Sequence, residues 1–145
     1  MISFDKNKIE NLDKIYRLNL INSCTGYKSA NLIGSVDMNG NTNLAIFSSI
    51  THLGSDPAMI GFVLRPRTVP RNTYNNLFTT KFFTVNHVKS DDIEDAHHTS
   101  AKYPKEISEF DKTKFEAEYL DGFIAPYVKG SNVRFGCKYF NKLCL

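Results

Sequence analysis

Hydrophobic and polar positions alternate unevenly along this chain, and the changes of period divide it into short elements. Ile9, Leu12, Ile15 and Tyr16 recur at helical spacing and predict a short N-terminal helix or turn within residues 2–17. Residues 18–25, LNLINSCT, crowd their apolar positions too closely for a surface helix and run into Gly26, which predicts an irregular strand or a lead-in loop. Residues 29–36, SANLIGSV, form a strand candidate. The DMNGN run at 37–41 follows it, and Asn39-Gly40 readily takes the positive φ angles of a hairpin turn, so residues 42–49 should return antiparallel. Gly54, Ser55, Asp56 and Pro57 spell another turn, and the nearly continuous apolar run 58–65 reads as a buried third strand of a meander.

The second half mixes periods. Thr73 as N-cap, followed by Tyr74, Leu77 and Phe78, predicts a brief helix ending near Thr80. Residues 81–88, KFFTVNHV, alternate and are rich in aromatic and β-branched side chains, which marks a strand. Asp91 or Asp92 should cap a helix running through AHHTSAKYP to Pro104, and residues 107–120 again have helical character up to the Asp121-Gly122 break. Pro126 makes 123–128 an edge strand or extended loop, and 133–145 begins as an alternating strand. Its apolar end at Cys144-Leu145 is an edge that a second chain, or strands missing from this one, would cover.

Composition narrows the class. The 145 residues suit one domain with one core, of mainly β character with a few short helices. At 41% hydrophobic and 23% charged the chain is globular in type, and a net charge of +3 without a run of like charges gives no footprint for nucleic acid. Three cysteines without a CxxC pair read as free thiols. With neither an apolar signal region nor an 18-residue apolar run, they place the protein in the cytoplasm and off the membrane.

The richest chemistry lies at residues 43–76. A loop carrying Arg65, Arg67, Thr68, Arg71 and Thr73 follows an apolar strand, so a donor-rich pocket stands beside an apolar wall. Such a pocket suits a phosphorylated, flat, partly apolar ligand. By chemistry alone, a flavin, a pyridoxal phosphate and a nucleotide all qualify.

The spaced pattern Asp37-x-x-Gly40-x-x-Asn43-x-Ala45-x-x-Ser48-Ser49, then Asp56-Pro57, Arg65, Thr73-Tyr74-x-Asn76 and Phe82-x-Thr84-Val85-Asn86 resembles the flavin reductase-like family. The resemblance implies an FMN-binding split β-barrel, here short of its final strands, with non-covalent FMN at the interface of a homodimer. It also implies NAD(P)H or another electron donor, and free flavin, ferric iron or an electron-acceptor protein as recipient. Asn43, Ser48, Ser49 and Ile50 are then expected along the flavin ring, and Arg65, Arg67, Thr68 and Thr73 at the phosphate. His97 or His98 is expected to approach the flavin, with Lys102 on the face of His98 four residues on. No catalytic side chain is implied, because a fixed flavin with an open face carries the chemistry. The alternative is a truncated split barrel that binds or scaffolds without turnover. The related pyridoxamine-phosphate-oxidase branch shares the phosphate logic but fits the TY-x-N and NG-x-x-N spacing less well.

Other residues have plainer readings. His97 and His98 are adjacent and point about 100° apart on a helix, and His52 and His87 stand at no ligand spacing from them, so no metal site is expected. Cys24 reads as packing rather than as a nucleophile. Phe47, Phe62, Phe78, Phe82 and Phe83 read as core, with Phe47 the one able to face a flat ligand.

Overall fold

A computed structural model describes residues 2–64 and 71–143. Two helices come first, α1 (Lys6–Glu10) and α2 (Lys14–Ser23), followed by strands β1 (Asn31–Val36), β2 (Thr42–Phe47), β3 (Thr51–Ser55) and β4 (Ala58–Gly61). Helix α3 (Asn72–Thr79), strand β5 (Phe82–His87) and helix α4 (Ile93–His98) occupy the middle. Short strands β6 (Ala117–Glu118) and β7 (Tyr127–Val128) and the longer β8 (Arg134–Lys138) complete the order. The main sheet is antiparallel in the order β2-β1-β5-β8. The pairs β3-β4 and β6-β7 form separate two-stranded ribbons. This is a mainly β architecture with short helices and, among the described residues, no closed barrel.

β1 is the axis of the molecule. All six of its residues are buried, because strands pair on both edges and other elements cover both faces. Its alternation sorts the core into two clusters. Leu32 packs with Leu44, Ala96, Phe115 and Val128 on one face, and Ile33 packs with Leu77, Phe83 and Val85 on the other. Complete burial of such aliphatic side chains contributes roughly 1.5–3 kcal/mol each. The β1–β2 hairpin is closed by Asp37, whose carboxylate accepts from the Asn39 and Asn41 amides and from Asn41 Nδ2. The Asn41 side chain leads in holding its pKa below the usual carboxylate value.

Several expectations are corrected by these coordinates. Residues 18–23 continue α2 rather than forming an irregular strand or lead-in loop, since Asp13 caps the helix by accepting from Ile15 N and Tyr16 N and the chain can then propagate. The third strand of the meander is not β4. The GSDP turn is the tip of a β3–β4 ribbon whose Ala58 and Met59 are exposed, so no third strand joins β2, and β5 pairs instead on the other edge of β1. At α3 the N-cap position belongs to Arg71, and Thr73 sits inside the first turn, where its hydroxyl faces the sheet. α4 stops at His98 rather than at Pro104. The helical reading of residues 107–120 reduces to one tight turn, Glu109–Lys112, because the Glu109 carboxylate leaves the turn to accept the Leu44 amide on the edge of β2. β8 ends at Lys138, well before residues 144 and 145, which lie outside the described part.

Candidate functional site

The site assembles where α3 crosses the β1–β2 pair. Ser35 and Asn43 are cross-strand partners, so their side chains project from one face of the sheet. Thr73 and Asn76 lie three residues apart on α3 and therefore share a helix face. The two pairs meet: Asn43 Nδ2 donates to Thr73 Oγ1 at 2.9 Å, and Asn76 Nδ2 donates to Ser35 Oγ at 3.1 Å. All four residues are buried, and Leu77 follows on the same helix face to pack against Ile33. Two polar bridges one helical turn apart set both the height and the rotation of α3. Losing one partner would leave a buried amide or hydroxyl unsatisfied, at about 1–3 kcal/mol.

This clamp fixes the start of α3, where the unusual chemistry sits. The Arg71 side chain at the N-cap position makes no capping hydrogen bond, and the first turn holds no acidic residue. The leading backbone amides of a helix lack internal acceptors and attract anions. Arg71, at the cap, has its Nε buried, and among the described residues that atom has no hydrogen-bond partner. A buried guanidinium N–H without an acceptor is costly in a folded protein, and at the head of an uncapped helix it lacks an anionic or carbonyl oxygen.

An apolar wall continues from the clamp on the same face. Phe47, at the end of β2, meets Phe62 edge-on at 5.2 Å, and Phe62 meets Phe83 at 5.6 Å. Ile50 and Ile60 pack against the same cluster, and Phe47, Ile50 and Phe62 remain partly exposed. Ser49 braces this wall: its Oγ accepts from the Val63 amide at 3.0 Å, which pins the base of the β3–β4 ribbon to the end of β2. Ser48 is exposed beside it. Cys137 packs behind the wall, and burial pushes its thiol up to about 11, so it stays a neutral core group.

The expected site residues separate into groups. Asn43 and Thr73 touch; Ser49 and Ile50 stand along the neighbouring wall, with Ser48 at its exposed rim. Arg65, Arg67 and Thr68 fall in the loop outside the described residues. His98 and Lys102 are exposed, and α4, which carries His98, packs through Ala96 against Leu32 and Leu44, on the opposite face of the sheet from Asn43. His98 Nε2 there lies 2.8 Å from the Tyr103 hydroxyl. The sequence reading placed Arg71 in the donor loop without singling it out. Its position directly before the helix was the available signal.

Other regions offer less. A cleft of about 290 Å³ on the α4 side is lined by Lys89, Asp92, Lys114, Phe115, Glu116 and Lys129. Its charges answer one another: Lys114 bridges Asp92 and Asp95, Lys89 meets Asp92, and Lys129 meets Glu116. Each of its three lysines thus faces a carboxylate within the described residues. Among the described residues no group of His, Cys, Asp or Glu is arranged to hold a metal ion, and no helix is long and apolar enough to cross a membrane.

Known proteins share this fold. A solved split barrel domain protein of Shewanella frigidimarina NCIMB 400, assigned to the flavin reductases, is 44% identical, aligns with 100% of this chain and 72% of its own, and superposes with a TM-score of 0.95. Nitrilotriacetate monooxygenase component B of Bacillus cereus is 22% identical over 95% of this chain and 67% of its own, with a TM-score of 0.78, and so shares the fold. An uncharacterized protein of Aquifex aeolicus (strain VF5) is 29% identical over 110 residues, 74% of this chain, and the match spans 56% of the length of that relative. The family model described as the flavin reductase like domain matches residues 26–143, and the chain belongs to that family.

Proposed function

We propose that this chain binds FMN without a covalent link, with the phosphate at the head of α3 and the flavin ring along the Phe47–Phe62 wall. The observation that carries the reading is the buried Arg71 Nε, which has no acceptor among the described residues, at a helix start whose N-cap side chain makes no capping bond. A phosphate monoester brings close to two negative charges and oxygens able to take that N–H together with the first-turn amides. Thr73 already accepts from Asn43, so its own hydroxyl hydrogen remains for a ligand oxygen. Asn43 is thereby a positioning residue. Arg65, Arg67 and Thr68 are proposed to add donors from the adjoining loop.

Bound FMN supplies reversible two-electron reduction, with NAD(P)H or another reduced donor on one side and free flavin, ferric iron or a partner protein on the other. The chain's own residues bind and orient. Ile50, Phe47 and Phe62 exclude water from one side of the ring, and Ser48 with nearby backbone amides meets its polar edge. We place this flavin-linked oxidoreductase in the cytoplasm, as a homodimer.

The test is a titration of flavin-free protein followed by FMN fluorescence. Wild-type protein should saturate at micromolar FMN. Arg71→Ala should weaken binding roughly ten- to a hundredfold, the equivalent of a charge-assisted bond of about 1.5–3 kcal/mol. An unchanged affinity in Arg71→Ala, with loss instead in His98→Ala, would move the site to the α4 side and sink this assignment.

A further inference from the structure

The far end of α3 gathers charge of its own. Residues 71–82 run along α3 into β5, and residues 137–143 lie against them: β8 pairs with β5 through Phe82 and Lys138, and the Tyr139 amide donates to the Lys81 carbonyl at 2.8 Å. These two stretches contain Arg71, Lys81, Lys138 and Lys142 and no acidic residue. Their positive charge exceeds the net +3 of the whole chain, so the remainder is nearly neutral and the excess sits here.

Two of these cations meet at one ring. Lys81 Nζ stands 5.4 Å from the centroid of Phe78 and 5.0 Å from that of Tyr139, while Lys142 Nζ stands 4.9 Å from Phe78 and 5.7 Å from Tyr74. The rings pack on one another, Tyr74 with Phe78 at 4.5 Å and Phe78 with Tyr139 at 4.9 Å, and form a firm platform. Ring quadrupoles attract each cation without neutralising it, and two such charges at one ring repel. Among the described residues Lys81 forms no ion pair. Its backbone stands at φ 67°, a left-handed conformation that glycine takes freely and lysine only under strain. A strained, exposed lysine kept beside a second one calls for an anion with two negative charges.

We infer that Lys81 and Lys142 bind a phosphate monoester carried by the electron donor, the 2′-phosphate that separates NADPH from NADH. Two ammonium groups match the nearly two negative charges of such a group, and lysine meets phosphate as a mobile point charge. Tyr74, whose hydroxyl accepts from Lys142 Nζ at 3.2 Å, ties that lysine to α3. FMN carries a single phosphate, so one held at Arg71 leaves the lysines, roughly 15 Å further along α3 by helical rise, to another ligand. Leu77, next to Phe78, packs in the cluster that also holds Phe47 and Phe62, so the platform adjoins the wall proposed for the flavin. The identity of the donor rests on that proposed function; the anion site rests on the lysines.

Calorimetry on the flavin-free full chain tests it with adenosine 2′,5′-bisphosphate and 5′-AMP, which differ only in the 2′-phosphate. Wild type should bind the bisphosphate at least about tenfold more tightly, as a charge-assisted contact provides, and Lys81→Gln and Lys142→Gln should each erase most of that preference. Lys81→Gly suits the backbone at this position, and should lose the preference while unfolding no earlier in urea than wild type. In FMN-loaded protein the glutamine variants should lower the ratio of kcat/KM for NADPH over NADH about tenfold. Equal affinity of wild type for the two nucleotides, a preference kept in all three variants, or an unchanged kcat/KM ratio would overturn the site. The two nucleotide probes need no flavin, so a failed FMN titration with their preference intact would sink the Arg71 assignment and leave the lysine site standing.

Discussion

The two faces of the β2-β1-β5 sheet are built from alternate residues of the same strands, yet they are finished differently. On the face of Leu32, Gly34, Thr84 and Asn86, the segment leading into β7 lies directly on the strands. Thr84 Oγ1 donates to the Pro126 carbonyl at 2.6 Å, and Asn86 donates to the Leu32 carbonyl while accepting the Val128 amide. Those polar groups are consumed within the protein. On the face of Ile33, Ser35, Asn43 and Phe83, α3 covers one end, the aromatic wall stays partly exposed, and Arg71 keeps a buried donor without an acceptor among the described residues. A closed hydrogen-bond network fixes a fold, and an incomplete one at the rim of an apolar wall is where a ligand can complete it.

Substitutions that touch one face at a time should break this contrast most clearly. Gly34→Val strikes the closed face hardest, since a Cβ at Gly34 would lie 2.2 Å from the Pro126 carbonyl oxygen and 2.6 Å from Thr84 Oγ1. Both neighbours are held, so the strain should cost roughly 3 kcal/mol or more, visible as an early urea midpoint or as insoluble protein. A midpoint unchanged from wild type would show that the Pro126 segment yields easily.

Asn86→Leu removes three hydrogen bonds and leaves the Val128 amide and the Leu32 carbonyl without that partner. A loss of about 2–3 kcal/mol in urea unfolding is expected, with FMN affinity of the folded fraction kept within about twofold. A large loss of affinity would mean that the two faces are coupled. Thr73→Val is the counterpart on the open face. It should cost only about 1 kcal/mol of stability by stranding Asn43 Nδ2, and should weaken FMN binding several-fold through the lost hydroxyl. Affinity falling no more than in Asn86→Leu would remove Thr73 from the phosphate site.

The smallest effect concerns the sheet edge. Burial raises the pKa of Glu109 above its ordinary value of 4.5, and the Leu44 amide only partly offsets this. A carboxyl group whose folded pKa is raised favours the folded state most when protonated. Its contribution is therefore complete below pH 4.5 and declines as pH rises through the elevated folded value. Glu109→Gln can still accept from Leu44 and should flatten that decline, leaving stability at neutral pH equal to wild type or higher by under about 1 kcal/mol. Urea unfolding between pH 4.5 and 7 reads the difference, and parallel curves for the two proteins would remove Glu109 from the pH response.

By itself, the sequence determined the local elements whose signals are local. The Asp37–Asn41 turn, the strands at β1, β2 and β5, and the helix over α3 follow from turn chemistry, alternation and spacing within a few residues. The family pattern was legible for the same reason, as ordered residues along one stretch. That β4 leaves β2 for a ribbon with β3, and that β5 pairs on the far edge of β1, was decided only in the tertiary structure, because nothing within an apolar run states its partner. Likewise Asp13, by capping α2, overrode the strand-like crowding of residues 18–23, and Glu109 left its own turn for a strand far away in sequence. The site shows the same division. Asn43 was expected along a flavin ring and Thr73 at its phosphate, but their contact, and the Arg71 donor without a partner among the described residues beside it, required α3 to be laid across two cross-strand neighbours. Hydrogen-bond satisfaction of a buried group depends on every group that reaches it, and that set exists only once the chain has folded.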